Sequence, residues 1–250
     1  MIRTVNATRY VTPLREGGSL PAVVEADDEG MYVLKFRGAG QGPKVLLAEL
    51  VAGELARAAG LLLPEIVFME LDADLARTEP DAEIQALIRA SAGLNLALDF
   101  LPGAVMFDAI AERPDPVQAS SIVWFDAYVS NVDRTARNAN LLVWHRQLHL
   151  IDHGAALYFQ HSWEGSDRSQ EPFARIKDHI LLPFAGALRE VDAVLAGRLT
   201  PQIVSDITAL IPEDWLGENS RDAYTDHLTR RLRGPRAFLQ EAARAHAQLV

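Results

Sequence analysis

The first half of the chain alternates short apolar runs with turn residues, and the second half reads mainly as helix. Residues 15–36, REGGSLPAVVEADDEGMYVLKF, predict a Gly-rich turn, a strand, an Asp-Asp-Glu-Gly turn and a second strand, a hairpin pattern. GAGQGP at 38–43 is a loop. KVLLAELVAGELARAAG then has helical periodicity and ends at Gly60, where a helix C-terminus favours glycine, with Pro64 shortly after. LPEIVFMELD predicts a strand, and DADLARTEPDAEIQALIRASAG a polar excursion with a short helix. LDFLPGAV, around 100–103, is expected as a hinge. Beyond it, 112–115 is a loop, PVQASSIVWFDAYVSN a helix, and NLLVW with LHLID a pair of short strands. Helices fill the remainder, to PRAFLQEAARAHAQLV at the end.

Composition narrows the classes. At 250 residues and 49% hydrophobic content the chain can bury one large core or two lobes sharing a cleft. Apolar runs such as LLLPEIVFMEL are short and broken, so no membrane span is expected. MIRTVNATRY lacks the apolar core of a signal peptide. The absence of cysteine fits a cytoplasmic location and excludes zinc or iron–sulfur sites built on thiolates. A net charge of −10 argues against a general nucleic-acid surface but not against nucleotide binding, where a few placed donors and a metal suffice. Lysine occurs only at Lys35, Lys44 and Lys177, so a lysine inside an apolar strand stands out.

The candidate chemistry concentrates in NVDRTARNANLLVWHRQLHLIDHG, residues 131–154. Two strands separated by His145, Arg146 and Gln147 suit an antiparallel hairpin. Folding about Arg146 puts Asn140 roughly opposite Asp152, with Asn138 at the same open end. At a strand spacing of about 5 Å, Asn138 and Asp152 are placed to share a magnesium ion. Such a hard cation takes a carboxylate and an amide oxygen, with water and phosphate completing its shell. Asp133, in a turn-like segment, is free to approach a substrate hydroxyl as base, and Arg134 to neutralise charge or pair with a carboxylate. Asp126, on the preceding helix, either braces this segment or lies exposed. Singly, each of these residues reads more readily as a structural turn former than as a functional group; their combination at one hairpin points to chemistry. His145 and His149 are structural, and His153 packs or hydrogen-bonds locally. His161, His179, His227 and His246 have no metal-ligand spacing, and neither H-E-x-x-H nor G-x-S-x-G occurs.

N-x-D-R-x-x-x-N followed by L-I-D-H-G resembles the catalytic and metal-binding segments of HipA-like kinases, and is similar to the type II phosphatidylinositol 4-kinase branch of the protein-kinase-like fold. The resemblance implies that Asp133 is the catalytic base and that Asn138 and Asp152 bind metal. Thr135 departs from it, standing where the family often carries histidine. A kinase also needs a strand lysine to hold the α- and β-phosphates, oriented by a helix glutamate. Lys35 points to the opposite face of its strand from Leu34 and Phe36. Glu54 has Arg57 three residues later for a partner, whereas Glu49 sits among Leu46, Leu47, Leu50 and Val51 and needs one. Glu49 is therefore the expected partner of Lys35, and Lys44, in a loop, the weaker lysine. The order strand lysine, helix glutamate and L-A-x-x-x-G-L-x-x-P recurs in HipA-like proteins. Gly17 and Gly18, with Ser19, are the candidates for the loop covering the phosphates, with GAGQG as a rival; neither has Walker or G-x-G-x-x-G spacing, and a plain turn is an equal reading. By the same resemblance Ser19 is a candidate autophosphorylation site.

Together these imply a two-lobed, protein-kinase-like α+β fold with a β-rich N-lobe at 1–98 and a mostly helical C-lobe at 99–250. The expected activity is ATP- and Mg²⁺-dependent phosphotransfer, to serine or threonine of a protein by analogy with the family. A small-molecule or lipid-headgroup kinase, and a nucleotide-binding pseudokinase acting as an interaction module, are the alternatives. The expected partners are ATP and a protein or small-molecule hydroxyl acceptor, with no direct nucleic acid and no membrane. The acidic charge and missing basic amphipathic helix disfavour a membrane lipid.

Overall fold

The computed structural model describes residues 2–14, 20–40, 42–161, 163 and 168–249 (backbone only at Thr78). Gly17, Gly18 and Ser19 lie outside the described residues. Five strands close into a barrel in the order β1-β2-β3-β5-β4: β1 (Thr4–Pro13), β2 (Ala22–Ala26), β3 (Met31–Lys35), β4 (Ile66–Leu71) and β5 (Gly93–Asp99). All neighbours are antiparallel except β1 and β4, whose parallel pairing of Thr4 with Phe68 closes the ring. The β2–β3 hairpin, β4 and the helical stretch after it lie where the hydrophobic pattern puts them.

β1 and β5 were not expected from the sequence. In β1 only Val5 and Ala7 are buried, so its apolar signal is thin. Ion pairs hold it instead: Arg3 contacts Asp28 at 2.5 Å and Glu65 at 2.8 Å, donates to the Tyr32 hydroxyl at 2.8 Å, and Arg9 pairs with Glu25. β5 lies between β3 and β4, and its buried Asn95 is satisfied by the Ser91 and Gly93 carbonyls and the Arg37 N–H. The LDFLPGAV segment, 98–105, thus begins and ends in strand, and 100–104 form the connection.

Between β3 and β4 runs α1 (Pro43–Ala58), with proline at its start and Gly60 just past its end at φ 84°. Lys44 belongs to its first turn, not to a loop. Residues 46–53 of α1 are almost all buried, the mark of a helix covered on every side. α2 (Ala82–Ala90), capped by Asp81, adds Ile84 and Ile88 to the core inside the barrel.

The rest is largely helical, with one small sheet. β6 (Val105–Met106), β7 (Leu141–Trp144) and β8 (Gln147–Leu150) pair antiparallel. α3 (Pro116–Val129) precedes β7, and α4 (Leu188–Arg198), α5 (Pro201–Thr208), α6 (Glu213–Leu216), α7 (Arg221–Leu232) and α8 (Ala237–His246) follow β8. Asp115 caps α3 by accepting from the N–H groups of Val117 and Gln118 at 2.9 and 3.1 Å. α1 shares one apolar core with α3 and the C-terminal helices, while a second core fills the barrel. The helix carrying Glu49 is therefore anchored by packing on both sides.

The β7–β8 hairpin corrects the expected register. Its loop is two residues, His145 and Arg146, both at positive φ (48° and 65°), the type I′ geometry that matches strand twist. Leu141 faces Leu150, and the Ile151 N–H donates to the Asn140 carbonyl at 3.1 Å. Asn140 thus lies opposite Ile151, not Asp152. A shift of one residue reverses which face each side chain takes.

Candidate active site

Lys35, the last residue of β3, points away from the barrel core that holds Leu34 and Phe36. Its side chain is only 9% exposed, with Nζ 2.7 Å from Asp152 Oδ1 and 3.8 Å from Glu49 Oε2. Burial alone would lower the lysine pKa, but Glu49, with Asp152 and Asp133, outweighs it and holds the ammonium above its usual value. For Glu49, burial raises the carboxyl pKa; Lys35, then His153, override it and keep the group below its usual value. Buried His153 has Nδ1 3.5 Å from Glu49 Oε1 and its ring edge-on to Phe125 at 6.3 Å. Gly154 permits this assembly. A Cβ there would lie 2.5 Å from Val45 Cγ1 of α1, so a side chain would force Val45, on the helix that carries Glu49, to shift.

A second group centres on Asp133, which is half-buried. Its Oδ2 accepts from Asn138 Nδ2 at 2.7 Å and from Asn140 Nδ2 at 3.3 Å. Asn140 takes the left-handed conformation, φ 48°, which asparagine tolerates. The backbone around Asp133 is tied down by a buried network. α3 ends at Ser130 in a left-handed turn, and the Asp133 N–H donates to Asn131 Oδ1 at 3.1 Å. Asn131 Nδ2 donates to Asp126 Oδ1 at 3.0 Å, Arg134 Nε to Asp126 Oδ2 at 2.5 Å, and His179 Nε2 approaches the same oxygen at 2.9 Å. Asp126 is fully buried, so of the two expectations for it the brace is correct. Burial would raise its pKa, but Arg134 and His179 hold it well below the usual carboxylate range. The Arg134 guanidinium also donates to the Asn140 carbonyl and, at 3.4 Å, to that of Ile151.

The sequence-predicted residues therefore gather into two groups: Lys35, Glu49 and Asp152, and Asp133 with Asn138. No hydrogen bond joins Asn138 to Asp152 among the described residues; Arg134, reaching the carbonyls of Asn140 and Ile151, links the two groups through the backbone. Asp152 adopts φ 55°, another left-handed position that an aspartate accepts.

A family model described as HipA-like kinase matches residues 8–242. The chain belongs to the HipA-like kinase family. No curated protein matches it in sequence. Among solved structures, the Helicobacter pylori proinflammatory kinase CtkA is similar at 13% identity and a TM-score of 0.56, covering 99% of this chain and 100% of that one. The Golgi casein kinase is similar at 11% identity and a TM-score of 0.53, covering 98% and 72%. The same enzyme with Mn/ADP bound gives 12% identity and 0.53, covering 98% and 73%. At these identities the likeness concerns the fold, which is α+β and kinase-like.

The kinase carries donors that fit a divalent ion. Asp152 is 39% exposed and offers a carboxylate, and Asn138, whose amide nitrogen is taken by Asp133, keeps its carbonyl oxygen. Among the described residues no group of three or more His, Asp or Glu could hold a metal by itself. A cation held by Asn138 and Asp152 alone would need water or phosphate oxygens as further ligands. No described helix of the kinase is long and apolar enough to cross a membrane.

Three residues escaped the sequence reading. Asn140 had a signal, the repeat of asparagine two positions after Asn138. Asn131 had one too, being the first residue of the matched motif. His179 had none, since it meets Asp126 only through the tertiary fold.

Proposed function

We propose that this kinase transfers the γ-phosphoryl group of ATP, with Mg²⁺, to a hydroxyl acceptor, serine or threonine of a protein. In this reading the chain is two-lobed, with 1–98 and 99–250 flanking a nucleotide cleft. The observation that carries it is the burial of the Lys35 ammonium between Glu49 and Asp152, at 3.8 and 2.7 Å. Burying the Lys35 and Glu49 charges costs desolvation, and such perturbed buried charges cluster at functional sites. A nucleotide-binding module without catalysis would have a use for this lysine but none for an aspartate held like Asp133.

Lys35 holds the α- and β-phosphates, and Glu49 fixes its ammonium in place. Asn138 and Asp152 hold the metal, which when bound neutralises charge on the phosphates. Asp133 Oδ1, the oxygen not engaged by Asn138, accepts the proton of the acceptor hydroxyl as the hydroxyl oxygen bonds to the γ-phosphorus and the bond from that phosphorus to the bridging oxygen breaks, releasing ADP. Asn138 and Asn140 keep the Asp133 carboxylate turned one way, so positioning carries much of the rate. The Golgi casein kinase structure with Mn/ADP supports the choice of nucleotide and divalent ion.

Transfer of radiolabelled phosphate from ATP, with and without Mg²⁺, tests this reading. Wild type is expected to turn over only with the metal, and Asp133→Ala to lose roughly 10²- to 10⁴-fold. Equal, near-zero turnover in both would overturn it. Separate panels of Ser/Thr peptides and small hydroxyl compounds then identify the acceptor class.

A further inference from the structure

His179 lies 46 positions beyond Asp133 in a stretch without periodic pattern, yet it is 5% exposed and sits on the carboxylate that braces the catalytic loop. Its ring is held from both sides. The Leu181 N–H donates to Nδ1 at 3.0 Å, so Nδ1 carries no proton. Nε2 therefore bears the hydrogen and donates it to Asp126 Oδ2 at 2.9 Å. The backbone repeats the attachment: His179 bridges Thr135, and the Ile180 N–H donates to the Arg134 carbonyl at 3.2 Å.

From Asp126 two routes lead to the reacting groups. Its Oδ1 holds Asn131, whose side-chain oxygen takes the Asp133 N–H. Its Oδ2 holds Arg134, which binds the carbonyls of Asn140 and Ile151, neighbours of the Asp133-binding amide and of Asp152. Asn131 on Oδ1 and Arg134 on Oδ2 already restrain the terminal torsion of this carboxylate; the imidazole adds a second donor on Oδ2 and narrows it further.

We propose that His179 is a positioning residue for phosphoryl transfer, its single neutral tautomer locking the Asp126 carboxylate so that Asn131 and Arg134 present Asp133. This rests on the phosphotransfer reading above, but part of its test does not. Burial outweighs the Asp126 contact, which by itself would raise the His179 pKa, and keeps it below its usual value, consistent with a neutral ring.

Two variants read the role. His179→Asn keeps an acceptor for the Leu181 N–H but falls short of Asp126, whereas His179→Gln carries an amide long enough to reach it. Expected for His179→Asn is a kcat lower by roughly ten- to hundredfold with the KM for ATP within about twofold, and faster amide exchange at 131–135. His179→Gln is expected to recover most of both. Equal kcat in the two variants, or unchanged exchange in His179→Asn, overturns the proposal. If wild type transfers no phosphate, the kinase chemistry falls and the exchange comparison alone decides. Should a variant not fold, imidazole nitrogen shifts of the unaltered protein decide: the neutral Nε2–H form at neutral pH supports the assignment, and the Nδ1–H form or the imidazolium overturns it.

Discussion

Lys35 Nζ lies nearer Asp152 than Glu49, 2.7 against 3.8 Å, although Glu49 is the more deeply buried of the two carboxylates. The lysine is thus shared between a fixed internal anion and a half-exposed one. Two consequences for stability follow from that asymmetry.

Removing the lysine leaves Glu49 buried, with only His153 at 3.5 Å to face it. Lys35→Met is therefore expected to destabilise the fold by about 3–5 kcal/mol, the usual cost of stranding a buried charge. Asp152→Asn, at a position 39% exposed and with a side chain that tolerates φ 55°, should cost at most about 1 kcal/mol. Urea denaturation of both variants at neutral pH checks the contrast.

Metal binding separates the roles of the same two residues. At a hundredfold excess over its dissociation constant, ATP with Mg²⁺ should stabilise wild type by about 2.7 kcal/mol. In Asp152→Asn the metal-dependent part of that increment should vanish while the protein stays folded. Thermal-shift titrations with and without Mg²⁺ measure it directly.

Gly154 sets how closely α1 approaches the segment that carries Asp152. Gly154→Ala places a methyl group 2.5 Å from Val45 Cγ1 and should cost about 1–3 kcal/mol, together with weaker nucleotide binding. Val45→Ala in the same chain makes room, so the double variant should recover part of the loss. A non-additive cycle in denaturation confirms that the two positions meet.

Acid should weaken the fold through the buried network. His179 has a folded pKa below the usual 6.5, so the unfolded chain binds its proton first as pH falls. Stability is then expected to decline from about pH 6.5 downward. Asp126, whose folded pKa is also depressed, keeps its contribution above the usual carboxylate value of 3.8 and loses it as pH falls through its folded pKa. Denaturation across this range should show a shallower slope between about pH 6.5 and 5 in His179→Gln, which cannot titrate.

Much of the candidate site was legible because its signals are local. Alternation in β3 turns Lys35 away from Leu34 and Phe36, and helical spacing surrounds Glu49 with apolar neighbours in need of a charge partner. β1 was not legible, because its pairing rests on Arg3 and Arg9 reaching acids far along the chain. β5 carried a readable alternation at Leu94, Leu96 and Leu98, obscured by its nearness to the LPG turn. The hairpin was read with its turn centred on Arg146, since neither His145 nor Arg146 advertises the positive φ that both adopt.

By itself the sequence determined which side chains carry charge into apolar surroundings, and hence the pairing of Lys35 with Glu49 and the family of the chain. Only the tertiary structure decided that the strands close into a barrel, that Asn140 faces Ile151, and that His179 meets Asp126. Periodicity is set by neighbours a few residues apart. Register and long-range contact depend on which distant groups satisfy a buried donor or acceptor, and that is known only once the chain has folded around them.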